Sequence, residues 1–453
     1  MKYLIGLDIG TSSVKGVLTD EKGEIKHRAF GSFSYVSPLE GRVEMEPEHY
    51  LKVCLDTIGE LAQAADGEEI LGLCAASASG NLVMLGSDGR PMTNIISWQD
   101  RRVNEEAREL FEDLDHDSFY RQIGWPFGYR AMPLSQLSYI KKHEPGLIGM
   151  CSMAAMSTEY LYFKLTGKWG ISPSAGVTYY MIDRNTGTYI GEILERLGLR
   201  ESQLPPIMPC GAVLGGVLPE IAGRCHLKAG TPVILGSFDH PAAARGAGIL
   251  KEGQMLLSCG TSWVVFLPAA DAEKGFAAGA LVDPFLSGSG GCCGVMSSLS
   301  SLSVKIRKYM KAYIDGTGSD FTMLTELARR SRPGARGLRL DLNADPGKRV
   351  LIASHVYDIA RAIMEGAVHL LKDRLDALAL YGLRADKAVM AGGPSGDPFW
   401  IELIEQICGV KVTAASGAFT GAAGAAVIAG IASGVYRDEM DAAQKAAAAE
   451  GDD

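Results

Sequence analysis

The sequence predicts an α/β protein of two domains, and three observations carry that expectation. The chain has 453 residues, more than an ordinary domain of about 100–200 residues accounts for. Short apolar runs that read as buried strands are followed by helical patterns. The strand–Gly-Thr-Ser–strand pattern that opens the chain around Leu7-Asp-Ile-Gly-Thr-Ser-Ser13 comes back around Leu257-Ser-Cys-Gly-Thr-Ser262. A repeat about 250 residues away suggests a duplicated domain whose halves face each other across a cleft. The boundaries read as 1–247 and 248–440, with an acidic tail at 441–453.

Tyr3 to Leu18 reads as strand, turn, strand. A glycine followed by Thr11, Ser12 and Ser13 lets backbone N–H groups and hydroxyls approach phosphate oxygens. An ordinary hairpin turn explains the same residues equally well. Asp8, at the end of the first strand, is placed to hold magnesium through water, because that ion keeps part of its hydration shell. The Gly-x4-Gly-Lys-Ser/Thr spacing of a Walker loop does not occur.

A third strand follows near Glu24 to Ser34, then a helix from Pro47 to Ala64. Glu69 to Ala76 reads as a buried strand that feeds the small-residue loop Ser77-Ala-Ser-Gly-Asn81. Ile95 to Arg102 runs from strand into helix. Its Trp98 and the polar Gln99, Asp100, Arg101 and Arg102 form a mixed surface suited to a polyol pocket, while a capping Asp with a solvated basic pair is the plainer explanation. Asn104 to Glu144 is helical with breaks near Gly124-Trp-Pro126 and Pro133, and Ser157 to Gly167 is a further helix.

Pro232-Val-Ile-Leu235 reads as another buried strand. It delivers Asp239 to a strand's carboxyl end, where open α/β sheets hold their ligands. A carboxylate at such a strand-to-helix corner, with His240 beside it, suits a general base acting on a hydroxyl. A helix-capping Asp is the alternative. The second half begins near Gly253. Gly260 and Thr261 lie in its hairpin turn, helices are expected at 300–314 and 321–330, and Ile359, Ile363, Leu370, Leu371, Leu375 and Leu378 mark the core face of a long helix over 355–381. Ala391-Gly-Gly-Pro-Ser395 then joins a strand to a helix, and bare backbone at Gly392 and Gly393 suits a purine, with phosphate favoured at the helix N-terminus.

Apolar residues make up 47% of the chain and charged ones 21%, with a formal net charge of −9. Such a mild balance, without a basic run, argues against nucleic acid or a membrane surface as partner. The first residues lack the features of a signal peptide, and no stretch has the length and polarity of a membrane span. The nine cysteines show no metal-ligand spacing. They read as reduced thiols, which places the protein in the cytoplasm.

Taken in order, Asp8-Ile-Gly-Thr-Ser-Ser-Val-Lys15, Trp98-Gln-Asp-Arg-Arg102, Gly236-Ser-Phe-Asp-His240, Ser258-Cys-Gly-Thr-Ser262 and Ala391-Gly-Gly-Pro-Ser395 resemble the FGGY carbohydrate kinases. The helix with Arg361 to Gly366 and the closing Gly421-Ala-Ala-Gly-Ala-Ala426 resemble that family's second domain. The resemblance implies two ribonuclease-H-like domains of the actin-like ATPase kind, closing over ATP, magnesium and a sugar or polyol. It implies Asp239 as the base and Asp8 beside the metal. Thr11, Ser12, Ser13, Lys15, Gly260 and Thr261 would approach phosphates, and Gly392, Gly393, Pro394 and Ser395 the adenosine. Ser79, Asn81, Trp98, Asp100, Asp239 and His240 would meet the substrate.

Where glycerol kinases carry Gln-Arg-Glu and xylulose kinases Gln-Met-His, this chain has Ala78-Ser-Gly80 and then Asn81. A small neutral loop leaves room for a ketopentose, a hexose-derived ketose or a four-to-six-carbon polyol. Three readings stand as alternatives: a kinase of a quorum-signal diol, a non-catalytic ATPase or regulator of the same superfamily, and an iron–sulfur activator ATPase using Cys292-Cys293. A homodimer is left open.

Overall fold

The structure is a computed structural model, and it describes residues 1–36, 41–128, 132–285, 293–346, 355–415 and 417–450. The chain divides into two compact units. The first holds Met1–Leu250, Leu281–Cys293 and Phe419–Asp453, and the second Lys251–Ala280 and Gly294–Ala418.

The first unit is built on a six-stranded sheet in the order Val213–Gly216, Pro232–Phe238, Glu69–Ser77, Lys2–Ile9, Ser13–Asp20, Ile25–Ser32. Lys2–Ile9, Glu69–Ser77 and Pro232–Phe238 run parallel, and the others pair antiparallel. The register sets Ile9 opposite Ser77 and Ser77 opposite Phe238. The three parallel strands therefore end at one edge, and whatever follows Ile9, Ser77 and Phe238 emerges there together. Buried as they are on both faces, these strands read as near-continuous apolar runs.

The helix Pro47–Ala64 packs through Leu51, Leu55, Ile58 and Leu61 into the larger core cluster. The helix Thr420–Ala432 joins a second cluster with Leu4, Cys74, Ile234 and Ala242. Its small residues explain how close it comes. A Cβ on Gly6 would lie 2.0 Å from the Ala422 carbonyl oxygen, and one on Gly424 would lie 1.8 Å from that of Ala242. Two expectations change here. By compactness the stretch from Phe419, expected in a second domain running to 440, groups with the first unit, and so does Leu281–Cys293. The residues expected to form an acidic tail carry a helix, Glu439–Glu450. Its alanines favour that state, and Glu439 is buried in an ion pair with Arg245 at 3.4 Å.

Five strands of the second unit's sheet follow the order Cys293–Leu299, Trp263–Ala269, Gly253–Cys259, Ala385–Gly392, Lys411–Ala414. Here too the opening strand pairs antiparallel with its hairpin partner and parallel with the next strand across, which is parallel to the last. This arrangement repeats that of the first unit, as the duplicated hairpins predict. The long helix runs Val356–Ala379 with Ile359, Ile363, Leu371 and Leu378 buried, while Leu370 and Leu375, expected on the same face, are only half-buried. No described helix is long and apolar enough to cross a membrane.

Candidate active site

Asp8 and Asp239 are brought together by topology. Asp8 stands one residue before the end of the first strand, opposite Ala76. Asp239 is the first residue of the helix Asp239–Gly246, directly after the strand Pro232–Phe238. The Asp239 carboxylate accepts the N–H of His240 at 2.7 Å, and the helix has no side-chain cap. The capping alternative for Asp239 thus falls away.

Asp239 perturbs Asp8. Burial, then the charge of Asp239, pushes Asp8 up to about 7, against the opposing pull of Lys15. Lys15 is the strand partner of Asp8 across the hairpin. Burial also raises Asp239, with His240 and its N–H pulling the other way. Carboxylates pushed out of their ordinary range by burial and a like charge are characteristic of functional sites. The N-terminus of the helix Thr420–Ala432 closes over Asp8. A Cβ on Gly421 would lie 2.6 Å from Asp8 Oδ2, so only glycine leaves that carboxylate its room.

Around these acids the first turn and the small-residue loop converge. Thr11 Oγ1 accepts the indole N–H of Trp98 at 3.0 Å, and Asn81 Oδ1 accepts the Trp98 backbone N–H at 3.1 Å. Ser12 is exposed, and Ser13 and Lys15 are half-buried. Ser79 is buried, with a hydroxyl 2.9 Å from that of Ser77. Its φ of 51° lies in the left-handed region, which non-glycine residues occupy at a cost and most often at functional loops. Trp98 is 38% exposed and presents a face at this loop. His240 is half-buried, edge-on to Phe238 at 5.6 Å.

Asp100 departs from expectation. It is buried, and its oxygens accept from Arg102 Nε at 3.0 Å, Arg102 Nη2 at 2.7 Å and the Val43 N–H at 3.0 Å. Arg102 Nη2 also donates to Glu44 at 2.6 Å. A buried carboxylate needs such partners, and with them it has no lone pair to offer a substrate. Asp100 anchors the loop that carries Trp98, and Arg102 is part of that anchor rather than a solvated cation.

The second unit contains a cavity of about 600 Å³. Gly260, Thr261, Gly393 and Pro394, singled out in the sequence, line it. A Cβ on Gly393 would meet nothing within 4 Å, so its backbone is bare. Gly392 and Ser395 stand outside the lining. A Cβ on Gly392 would lie 2.3 Å from the Cys259 carbonyl oxygen, so this glycine serves close strand packing. Ser395 Oγ donates to the Gly392 carbonyl at 2.7 Å and ties the turn. Sequence reasoning misses Ser303, Arg307, Phe321 and Asp397 in the wall. Asp397 has a signal, since its carboxylate caps the helix Pro398–Cys408 through the Phe399 N–H at 2.9 Å. The others come from helices whose patterns mark them only as amphipathic. Trp400 is buried edge-on to Trp263 at 5.4 Å and forms part of the wall without standing free to stack.

Residues 3–246 match the model of the FGGY family of carbohydrate kinases, N-terminal domain, and residues 320–433 that of the C-terminal domain. The chain belongs to the FGGY family of carbohydrate kinases. Among FGGY relatives it is 26% identical to the autoinducer-2 kinase of Salmonella typhimurium strain LT2, over 98% of this chain and 88% of that one. It is 24% identical to the xylulose kinase of Bacillus subtilis strain 168, over 98% and 91%. In fold it matches the ligand-bound xylulose kinase of Lactobacillus acidophilus, with a TM-score of 0.86 at 21% identity over 98% and 92% of the two chains. This FGGY chain is thus a carbohydrate kinase with the two-domain actin-like ATPase fold that its motifs imply. Cys292, invoked for the iron–sulfur alternative, lies outside the described residues.

Proposed function

We propose that this kinase transfers the terminal phosphoryl group of ATP to a hydroxyl of a small ketose or polyol, with Asp239 as general base. The observation that carries the reading is the meeting of Asp8 and Asp239 at the carboxyl edge of one sheet, each raised by burial and Asp8 also by the charge of its neighbour.

Phosphoryl transfer asks a protein mainly to position its reactants and neutralise charge, with one carboxylate orienting the nucleophile. Asp239 takes that part: its carboxylate receives the proton of the acceptor hydroxyl. Asn81, Ser79, Trp98 and His240 surround the acceptor and hold it by hydrogen bonds and by the indole face. In the second unit the cavity suits a nucleoside triphosphate. Gly393 and Pro394 offer backbone to the base, Asp397 can accept from a ribose hydroxyl, and the Gly260–Thr261 turn can donate to phosphate oxygens.

Magnesium fits the residues present. Asp8 is a crowded carboxylate whose ionised form is disfavoured beside Asp239, and a cation there relieves the repulsion. Among the described residues no cluster of three or more metal-ligating side chains exists, so the ion would rest on Asp8, water and phosphate oxygens, as magnesium commonly does. When bound it supplies charge neutralisation for the phosphates.

The neutral loop Ala78-Ser-Gly-Asn81 favours an acceptor gripped by hydrogen bonds rather than by charge. The likeness to autoinducer-2 kinases along nearly the whole chain supports a diol signal as the second reading. Both are tested by ATP consumption over D-xylulose, D-ribulose, glycerol, erythritol and autoinducer-2. Turnover with a ketose or polyol supports the first reading and turnover with autoinducer-2 alone the second. ATP hydrolysis that no acceptor accelerates contradicts both.

A further inference from the structure

Behind Asp239 lies a second, fully buried acid that the phosphoryl transfer itself does not use. Asp283, on the strand Leu281–Pro284 of the first unit, is 0% exposed. Its Oδ1 accepts the hydroxyl of Ser174 at 2.7 Å, and its Oδ2 has no hydrogen-bond partner among the described residues. Ser174 Oγ in turn accepts the backbone N–H of Phe238 at 3.3 Å. Phe238 is the residue before Asp239. The Trp125 ring packs edge-on against the Phe238 ring at 5.3 Å and fixes its other side.

We propose that Asp283 and Ser174 are positioning residues for Asp239: Asp283 orients the Ser174 hydroxyl, Ser174 holds the Phe238 N–H, and the next side chain along then points one way. The inference rests on the reading of Asp239 as base. Ser174 sits on the short helix Pro173–Gly176, whose Ser172 accepts the Ala175 N–H at 3.2 Å, so the relay starts from a rigid turn. A buried carboxyl with one partner is costly to keep, and a hydroxyl bridging it to the strand end gives that cost a use. The charged groups facing Asp283 are Arg245, Arg184 and Asp239, and burial outweighs the two arginines to raise it. Arg245 is itself engaged by Ser237 Oγ at 3.4 Å, by Glu439 and by the Phe285 carbonyl.

The test uses the full chain with Ser174→Ala, Asp283→Ala and Asp283→Asn, each alone and with Asp239→Asn. Phosphotransfer is followed with ATP, magnesium and the acceptor panel above. Ser174→Ala and Asp283→Ala should lower kcat by about tenfold to a hundredfold, the range misplacement of a reacting group produces, with KM for ATP unchanged. Asp283→Asn keeps an acceptor for Ser174 and should restore most of kcat. In the Asp239→Asn background neither alanine should cost anything further, because residues acting through one group are non-additive. Crystal structures of the variants give a readout that needs no acceptor: the Asp239 side chain should lose its single orientation in both alanine variants and keep it in Asp283→Asn. Folded alanine variants with kcat within about twofold of the parent and Asp239 unmoved overturn the proposal, and so does an equal further loss on top of Asp239→Asn. An active Asp239→Asn enzyme instead overturns the underlying assignment of the base.

Discussion

Asp8 shows what the site costs the fold. Its carboxyl is pushed up to about 7 in the native state, whereas in an unfolded chain it titrates near the usual value of about 3.9. Between those values the folded protein binds the extra proton, so this group's contribution to stability falls as pH rises through that window. Asp8→Asn removes the penalty. The expected outcome is a variant with a higher Tm than the parent at pH 8, little difference at pH 4, and lost phosphotransfer. Thermal melts at the two pH values check it, and an equal shift at both contradicts the assigned cause. Asp8 and Asp239 stand out in sequence because Asp8 ends an apolar run before a small-residue turn and Asp239 follows one at a strand-to-helix corner, both purely local patterns. Asp100 looks similar from its neighbours Trp98 and Arg102. Its partner Val43, and the Glu44 with which it shares Arg102, lie more than 50 residues away, and only the fold reveals that its oxygens are taken.

At the scale of the element, the hairpins, the parallel strands and the helices Pro47–Ala64 and Val356–Ala379 follow from periodicity and breakers nearly to the residue. The side to which an element returns does not. Thr420–Ala432 reads as a small-residue helix in sequence, but its attachment to the first unit depends on Gly6 and Gly424 permitting backbone contact with strands and helices hundreds of residues away. Glu439–Glu450 reads as tail because its first and last residues are acidic, while the buried pair between Glu439 and Arg245 is a long-range event. Glu439→Leu leaves Arg245 buried without that partner, and breaking such a pair costs about 3–5 kcal/mol. Urea unfolding should show this loss. Replacing both partners by apolar residues, as in Arg245→Met with Glu439→Leu, should recover much of it, because a buried pair and well-packed apolar groups are close in energy. Recovery absent from the double variant, or a Glu439→Leu variant without effect, contradicts the role given to the pair.

For the whole molecule, duplication is visible in the sequence as two Gly-Thr-Ser turns and in the structure as two sheets with matching strand order. The cavity proposed for the nucleotide is half legible. Gly260, Thr261, Gly393 and Pro394 carry turn signatures, while Arg307 and Phe321 reach the wall from helices without one. A non-hydrolysable ATP analogue should stabilise the protein, by about 2.7 kcal/mol at a hundred times its Kd. Gly393→Val places a side chain where nothing lies within 4 Å, so it should leave the Tm of the free protein unchanged and abolish the nucleotide-induced rise. Persistence of the full rise in that variant excludes this cavity as the nucleotide site.

The most direct test of the central claim, that Asp239 prepares the acceptor hydroxyl, is kcat of Asp239→Asn with the best acceptor of the panel. The account predicts a normally folded protein that still gains stability from the ATP analogue and has lost about 10²–10⁴-fold in kcat, the usual contribution of a positioned base. A folded variant turning over near the parent rate contradicts it.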